Sequence, residues 1–222
     1  MVAECAPMDS IGRSGGALNR ERILHERAAQ KESHEAQTRG IVGWFYRTYI
    51  SATRSFLARH QGARVLEVGC GEGVLLRDLS FAPVQLDISM TRLYKAQAAG
   101  HPLICADGMD LPFADASFDV VLLIAVLEHV SRPERIVEET WRVLKPGGEA
   151  ALLTPNDVWM SLGRLILLKW PPRYPDHLSW IPPGRIRCMA EGRFSVEEAF
   201  ALPVKWLPFG LNMYYWATFR KR

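Results

Sequence analysis

The middle of the chain alternates between two kinds of hydrophobic pattern. Short apolar runs typical of buried strands lie at 64–68, 84–87, 102–105, 118–124 and 149–154. Segments with helical spacing lie at 74–80, 90–99 and 132–144. Because strands separated by helical segments favour a parallel sheet covered on both faces, this region predicts an α/β fold.

The pattern changes on either side of this region. Residues 1–20 have no periodicity and predict a flexible tail, whereas 21–60 predict an N-terminal helical cap, charged at first and then aromatic. Six of the seven tryptophans lie after residue 140, and 156–190 predict an insertion on the substrate side of a domain spanning 61–222. Two further strand candidates, 194–202 and 211–220, would complete the sheet.

Composition narrows the class of protein. A chain of 222 residues with 48% hydrophobic content can bury one sizeable core. A net charge of +3 creates no strong field, so the sequence predicts no nucleic-acid partner. The longest aliphatic run, 120–127, is far shorter than the roughly 18–20 residues that span a bilayer. Four scattered cysteines and no signal-peptide pattern favour a cytoplasmic protein with free thiols.

A glycine-rich turn follows the first apolar run, with Gly69, Gly71 and Gly73 at alternate positions. Glycine allows a tight strand-to-helix turn and lets a ligand lie against bare backbone. Asp87 ends the second strand, where a carboxylate can accept hydrogen bonds from both hydroxyls of a ribose. The pattern therefore predicts a nucleoside-type cofactor site, the alternative being an ordinary turn of an α/β protein.

The spacing of these glycines differs from the dinucleotide pattern G-x-G-x-x-G, because the third glycine is at 73 and position 74 is Val. With Glu67 two residues ahead of the turn, it resembles the first motif of class I S-adenosylmethionine-dependent methyltransferases. S-adenosylmethionine has cationic sulfonium and amino groups and no phosphate. A nearby acid such as Glu67 suits those cations and would repel a pyrophosphate.

Three later segments extend the resemblance to the small-molecule branch known as methyltransferase type 11. Residues 105–113 are similar to its A-D-A-x-x-L-P-F segment, 118–121 to its F-D-x-V strand, and 141–149 to its R-V-L-K-P-G-G segment. The resemblance implies a Rossmann-like, doubly wound sheet of seven mostly parallel strands, S-adenosylmethionine as cofactor and S-adenosylhomocysteine as product. The cofactor-binding residues it implies are Glu67, Gly69, Cys70, Gly71, Asp87, Ile88, Ala106, Asp107, Gly108 and Ile124.

The catalytic candidate is His129, just past the strand at 118–124. A hydroxyl acceptor gains from a base, and histidine ordinarily titrates near pH 6.5. Alternatively, Glu128 and His129 orient the following turn. Together with 153–156 and 172–183, this segment resembles ubiquinone-biosynthesis O-methyltransferases, which have a Glu-x-x-Glu-His metal pattern. Ala125 replaces the first Glu, and because two ligands make a weak divalent site, the sequence assigns no metal.

The acceptor is predicted from the tryptophan-rich end. Residues 157–170 predict a helix with one apolar face, either a core or lid helix or one that lies at a membrane surface. Tyr174, His177 and Trp180 are candidate pocket walls. We expect O-methylation of a small, apolar or aromatic acceptor, with peripheral membrane contact through 157–170. The alternatives are a methyltransferase of a macromolecule, a non-catalytic protein that keeps the cofactor fold, and an NAD-dependent oxidoreductase.

Overall fold

The computed structural model describes residues 22, 23, 25, 26, 40–77, 79, 81–166, 168, 170, 171, 174 and 176–222. The predicted tail at 1–20 lies outside the described residues, as does most of 21–39 in the predicted cap. The described residues of that early segment, at 22, 23, 25 and 26, have helical backbone.

Seven strands of the described chain form one sheet, in the order β3-β2-β1-β4-β5-β7-β6. They are β1 (Val65–Val68), β2 (Val84–Asp87), β3 (Leu103–Cys105), β4 (Phe118–Ile124), β5 (Leu144–Pro155), β6 (Phe194–Leu202) and β7 (Tyr214–Lys221). The first five strands pair in parallel, whereas β7 is antiparallel to both β5 and β6. The predicted sheet of seven mostly parallel strands is confirmed.

Five helices accompany this sheet in the described part of the chain. They are α1 (Gly40–Ala58), α2 (Met90–Ala96), α3 (Pro133–Val143), α4 (Asp157–Ile166) and α5 (Pro183–Ala190). Short 3-10 turns follow α2 (Gln97–Ala99), β4 (Leu127–His129) and β6 (Phe209–Leu211). Within the described residues, none of the helices combines the length and the apolar character needed to cross a membrane.

The two faces of the sheet carry separate hydrophobic clusters. Successive residues of β4 alternate between them: Val121 packs in the cluster that includes α3 and α5, and Leu122 in the cluster that includes α1. This is the alternation expected of a strand buried on both sides. Trp216 of β7 is fully buried in the α1 cluster. Helices therefore lie on both faces of the sheet, as predicted.

One predicted element differs. The pattern at 74–80 predicts a helix, but residues 71–77 form turns and the described chain has no helix between β1 and β2. Gly69, Gly71 and Gly73 all have positive φ, so the backbone is still turning at Gly73 and only residues 74–82 remain before Pro83. The link is too short to add a full helix and return to β2. Leu76 is nevertheless fully buried, which explains its apolar pattern.

Candidate functional site

A cleft opens at the carboxyl ends of the parallel strands, where β1 lies between β2 and β4 and the strand order reverses. Open α/β sheets bind ligands at this point. The cleft has about 530 Å³ of empty space, counting the part open to solvent. It is lined by His25, Val68, Gly69, Leu86, Asp87, Ile88, Arg92, Asp107, Gly108, Ala125, Val126, His129, Val130 and Ile136.

Asp87 connects the glycine turn to the end of β2. One carboxylate oxygen accepts a hydrogen bond from the Gly71 N–H at 2.8 Å, and the other accepts one from the Ser89 N–H at 2.8 Å. A carboxylate offers about four lone-pair positions, so two such bonds leave acceptor capacity on each oxygen. Asp87 is therefore held rigidly and can still receive the hydroxyls of a ribose.

The floor of the cleft depends on glycine at two positions. Gly69 has φ +71°, and a Cβ there would lie 2.7 Å from a methyl carbon of Val126. A Cβ on Gly108 would lie 2.8 Å from a methyl carbon of Val68. Both distances are shorter than real Cβ contacts, so the neighbouring segments close over bare backbone.

Asp107 has two roles in the structure. Its Oδ1 accepts a hydrogen bond from the Met109 N–H at 2.8 Å, which stabilises the turn after β3. The residue also lines the cleft, together with Gly108 and Ile88. A turn-capping role and a ligand-facing position are thus compatible at Asp107.

The predicted cofactor-binding residues divide into two groups. Those that line the cleft are Gly69, Asp87, Ile88, Asp107 and Gly108. The others lie behind the lining: Gly71 donates to Asp87, Cys70 packs against α2, Ile124 is buried in the α1 cluster, and Ala106 packs against the opposite cluster.

Glu67 belongs to the second group. Its carboxyl group is buried and accepts a hydrogen bond from Gln85 Nε2 at 2.6 Å. Burial raises the pKa of Glu67 to about 8, despite the opposing effect of the Gln85 hydrogen bond. The structure therefore has a protonated acid behind the glycine turn, not a carboxylate that faces the cleft.

Two polar residues of the lining, Arg92 and His25, were not predicted. Arg92 lies in the first turn of α2, after the helix-capping Ser89, and faces the cleft near Asp87. His25 comes from the N-terminal segment, which is held by Glu26: its carboxylate accepts hydrogen bonds from the Met90 N–H at 2.8 Å and the Ser89 hydroxyl at 3.1 Å. The capped start of a helix could have indicated Arg92, but no local signal marks His25.

His129 lies at the rim of the cleft, in the 3-10 turn after β4. Its Nδ1 is 3.1 Å from the carbonyl oxygen of Asp176 and 3.3 Å from that residue's carboxylate. Because a carbonyl only accepts, Nδ1 carries the proton and Nε2 the lone pair. Burial, partly offset by the Asp176 carboxylate, lowers the pKa of His129 to about 4. The ring is neutral at pH 7 and a weaker base than the ordinary value near 6.5 suggests.

A second histidine, His177, lies beside His129 and Glu128. The segment around it is bound to the β4 loop, since the Ser179 N–H donates to the Glu128 carbonyl at 3.0 Å. His177 Nδ1 is 2.5 Å from Asp157 Oδ1, and this hydrogen bond raises the pKa of His177 although burial opposes it. Burial raises the pKa of Glu128 to about 8. One ligand atom from each of Glu128, His129 and His177 lies within 4.8 Å of the others.

Comparison with known proteins covers the strands that form this cleft. Residues 66–152 match the family model described as a methyltransferase domain. A probable S-adenosylmethionine-dependent methyltransferase of Mycolicibacterium smegmatis is 36% identical over 126 residues, which are 54% of this chain and 49% of that protein. A putative methyltransferase of Encephalitozoon cuniculi is 36% identical over 147 residues, 64% of each chain. The chain spans about half the length of most curated relatives it matches.

Other relatives have names that record different acceptors. A ubiquinone biosynthesis O-methyltransferase of Caulobacter vibrioides is 33% identical over 57% of this chain and 52% of that protein. A tRNA (carboxymethyluridine(34)-5-O)-methyltransferase of Arabidopsis thaliana is 33% identical over 55% of this chain and 31% of that protein. The second name records a tRNA acceptor, and both names record methyl transfer to oxygen.

Solved structures share the fold. A S-adenosylmethionine-dependent methyltransferase of Thermotoga maritima aligns with a TM-score of 0.70 at 20% identity, over 91% of this chain and 100% of that one. An N-methyltransferase of Bradyrhizobium japonicum in complex with S-adenosyl-L-homocysteine aligns with a TM-score of 0.68 at 14% identity, over 90% and 98%. At these low identities the similarity shows a shared fold only.

Proposed function

Because the chain belongs to the class I S-adenosylmethionine-dependent methyltransferases, we propose that it methylates a small, apolar or aromatic acceptor, preferentially on oxygen. The observation that carries this proposal is the meeting of three features in one cleft. The glycine turn is bonded to Asp87, Asp107 lines the same cleft, and His129 lies at the rim. The first two suit the nucleoside part of the cofactor, and the third faces the side from which an acceptor would approach.

The proposed cofactor arrangement follows the lining. Asp87 would accept the ribose hydroxyls, and the adenine would lie among Ile88, Asp107 and Gly108. The remaining part of the cofactor would extend along Gly69. Because Glu67 is buried behind the turn and holds its proton, we propose that it shapes the turn from behind rather than contacting the cofactor.

The reaction is a displacement at the sulfonium methyl carbon. A bond would form between the acceptor oxygen and the methyl carbon while the carbon–sulfur bond breaks; its electron pair would stay on sulfur in S-adenosylhomocysteine, and the hydroxyl proton would pass to solvent. Holding the reacting atoms in line, about 3–3.5 Å apart, supplies roughly 7–11 kcal/mol of the barrier. The Nε2 lone pair of His129 would accept a hydrogen bond from the acceptor hydroxyl. Because the pKa of His129 is about 4, the ring is a weak base, and its main role would be to orient the hydroxyl.

The nature of the acceptor is proposed from the surface beside the rim. α4 begins at Asp157, which is hydrogen-bonded to His177, and none of the side chains of α4 is buried. Exposed apolar side chains continue beyond the helix, with Leu168 at 92% and Trp170 at 83% exposure. An apolar surface of this kind suits an apolar acceptor, and it supports the proposed membrane contact through 157–170.

Liposome flotation tests the membrane contact. We expect wild-type protein to float with vesicles, and a Leu168→Glu and Trp170→Glu double variant to remain in the aqueous fraction. Trp206 is similarly exposed, at 82%, and Trp206→Glu is the matched control because it changes charge outside 157–170. Equal flotation of wild type and the double variant would refute this contact.

Calorimetry with S-adenosylhomocysteine and with NAD tests the cofactor. Incubation with labelled S-adenosylmethionine and a panel of aromatic hydroxyl compounds, amines, tRNA and protein then tests the acceptor. We expect binding of S-adenosylhomocysteine, no binding of NAD, and label in an aromatic hydroxyl compound. Binding without any transfer would favour the non-catalytic alternative, and label in tRNA would favour the macromolecular one. The cytoplasmic location remains a prediction, to be checked by cell fractionation.

A further inference from the structure

Three potential metal ligands meet beside the cofactor cleft. Glu128 and His129 are consecutive residues after β4, and His177 approaches them from the segment before α5. The ring centroids of the two histidines are 4.9 Å apart, with the ring planes at 89°. The proposed cofactor contacts at the glycine turn and Asp87 do not require this cluster, so the cluster needs its own explanation.

The carboxyl group of Glu128 is the first indication of a cation site. Glu128 is 1% exposed, and its Oε2 has no hydrogen-bond partner among the described residues. Leaving a buried polar atom unpaired destabilises the folded protein, and a charged group more so. A cation between this oxygen and the two imidazole rings would remove that destabilisation. The unpaired oxygen is thus better explained by a bound ion than by packing.

The orientation of both rings is the second indication. His177 Nδ1 is bonded to the Asp157 carboxylate, and His129 Nδ1 is next to the carbonyl and carboxylate oxygens of Asp176. Tyr174 also stacks on His177, with 5.0 Å between ring centroids. Metal-bound histidines usually donate their second ring N–H to a carboxylate or carbonyl, which orients the ring and leaves Nε2 for the metal. Both histidines of this cluster have that second partner.

The ligand set selects the kind of metal. Two imidazole nitrogens and one carboxylate suit Zn²⁺ and related transition metals, whereas Mg²⁺ and Ca²⁺ prefer oxygen ligands. Tetrahedral Zn²⁺ with bonds of about 2.0–2.1 Å holds its ligands about 3.3 Å apart. The three ligand atoms lie within 4.8 Å of one another, so they would have to approach by at most about 1.5 Å, which side-chain rotation can supply.

We propose that Glu128, His129 and His177 bind a transition-metal ion of the Zn²⁺ type, with Asp157 and Asp176 as positioning residues. Three protein ligands leave at least one coordination position for a water or a substrate atom. Since His129 also lines the cofactor cleft, the ion lies next to the site of methyl transfer. If the proposed function holds, this open position would bind the acceptor oxygen and favour loss of its proton, and in the metal-bound protein the ion would replace the Nε2 lone pair of His129 as the group that holds the acceptor hydroxyl.

Metal binding by the full chain tests this proposal without an acceptor or cofactor. The protein is treated with a chelator and titrated with Co²⁺, followed by visible absorption, and then with Zn²⁺ in calorimetry. We expect one equivalent of Co²⁺ to give a d–d absorption band and Zn²⁺ to displace it. Glu128→Gln, which keeps the size of the side chain, should weaken Zn²⁺ binding by at least about 100-fold, because it removes the anionic ligand.

The positioning residues and a matched histidine provide the controls. Asp157→Asn leaves all three ligands in place and should weaken Zn²⁺ binding by about 10–100-fold. His101 lies just before β3, at the other end of the sheet, and contacts the Leu76 carbonyl, so His101→Gln should bind Zn²⁺ like wild type. Metal-free thermal unfolding shows whether each variant folds. If Glu128→Gln does not fold, the comparison of Asp157→Asn with wild type decides.

Three results would overturn the proposal: no absorption band, Zn²⁺ binding that is equal in Asp157→Asn and wild type, or Mg²⁺ binding as tightly as Zn²⁺. The metal result is independent of catalysis. Zn²⁺ binding without methyl transfer would contradict the proposed function and support the metal site. Methyl transfer by a protein that binds no Zn²⁺ would contradict the metal site and support the proposed function.

Discussion

Replacing Gly69 with alanine tests how closely the loop after β4 packs on the cofactor turn. Gly69 has φ +71°, a left-handed conformation that costs an alanine about 1–2 kcal/mol. The new Cβ would also lie 2.7 Å from Val126 Cγ2 and 3.3 Å from its Cγ1. Forcing an extra carbon into a packed site typically costs about 1–3 kcal/mol. We therefore expect Gly69→Ala to lower the free energy of unfolding by about 2–5 kcal/mol.

Gly62 provides a matched control for the backbone contribution. It has φ +77°, close to that of Gly69, but a Cβ there meets no described atom within 4 Å. Gly62→Ala should therefore cost only the backbone term of about 1–2 kcal/mol. In a chain of this length 1 kcal/mol shifts Tm by about 2–4 °C, so Gly69→Ala should lower Tm by about 2–12 °C more than Gly62→Ala does.

A double-mutant cycle with Val126→Ala identifies the source of that difference. Removing the two methyl groups of Val126 removes the contacts that the new Cβ would make. We expect Val126→Ala to be less destabilising in the Gly69→Ala background than in wild type, with a coupling of about 1–3 kcal/mol measured by denaturant unfolding. If Gly69→Ala and Gly62→Ala cost the same and the coupling is zero, the loop does not pack on Gly69 as described.

Three further predictions concern the carboxyl groups and the rim. Asp87→Asn should weaken S-adenosylhomocysteine binding by about 10–100-fold in calorimetry, because the amide loses charge-assisted bonds, whereas exposed Asp110→Asn should not. Burial raises the pKa of Glu67 to about 8, so the folded state retains a proton that the unfolded state loses near its ordinary pKa of about 4.3. Glu67 should therefore make stability fall as pH rises from 5 to 8, by up to about 1.4 kcal/mol per pH unit, and buried Glu128 should add a similar fall. Glu67→Gln should remove only the Glu67 part of this slope in a series of thermal melts; a slope equal to that of wild type would show that Glu67 is ionised when folded. His129→Asn should lower kcat by at least about 10-fold with S-adenosylhomocysteine affinity unchanged, and an unaltered kcat would assign His129 a structural role.

The sequence determines the fold and the position of the cofactor cleft because their signals are local. Alternating apolar strands and helical segments predict the sheet, and the strands so predicted lie within or overlap the seven observed ones. Gly69 directly follows β1, Asp87 ends β2, and Asp107 lies two residues after β3. Since parallel strands end at the same edge of a sheet, residues at those ends meet whatever the details of packing. The helix predicted at 74–80 is the exception, because helical spacing alone does not reveal that the glycine turn leaves too little chain to form it.

Only the tertiary structure decides the features that depend on distant contacts and on burial. His177 is far from Glu128 in the chain and reaches it through the bond between Ser179 and the Glu128 carbonyl. His25 reaches the cleft because Glu26 caps the start of α2, a contact that no local pattern specifies. The same holds for protonation: burial, not residue type, raises the pKa of Glu67 and lowers that of His129. Residue order along the strands thus determines where a ligand binds, whereas desolvation and long-range packing decide which side chains carry charge there.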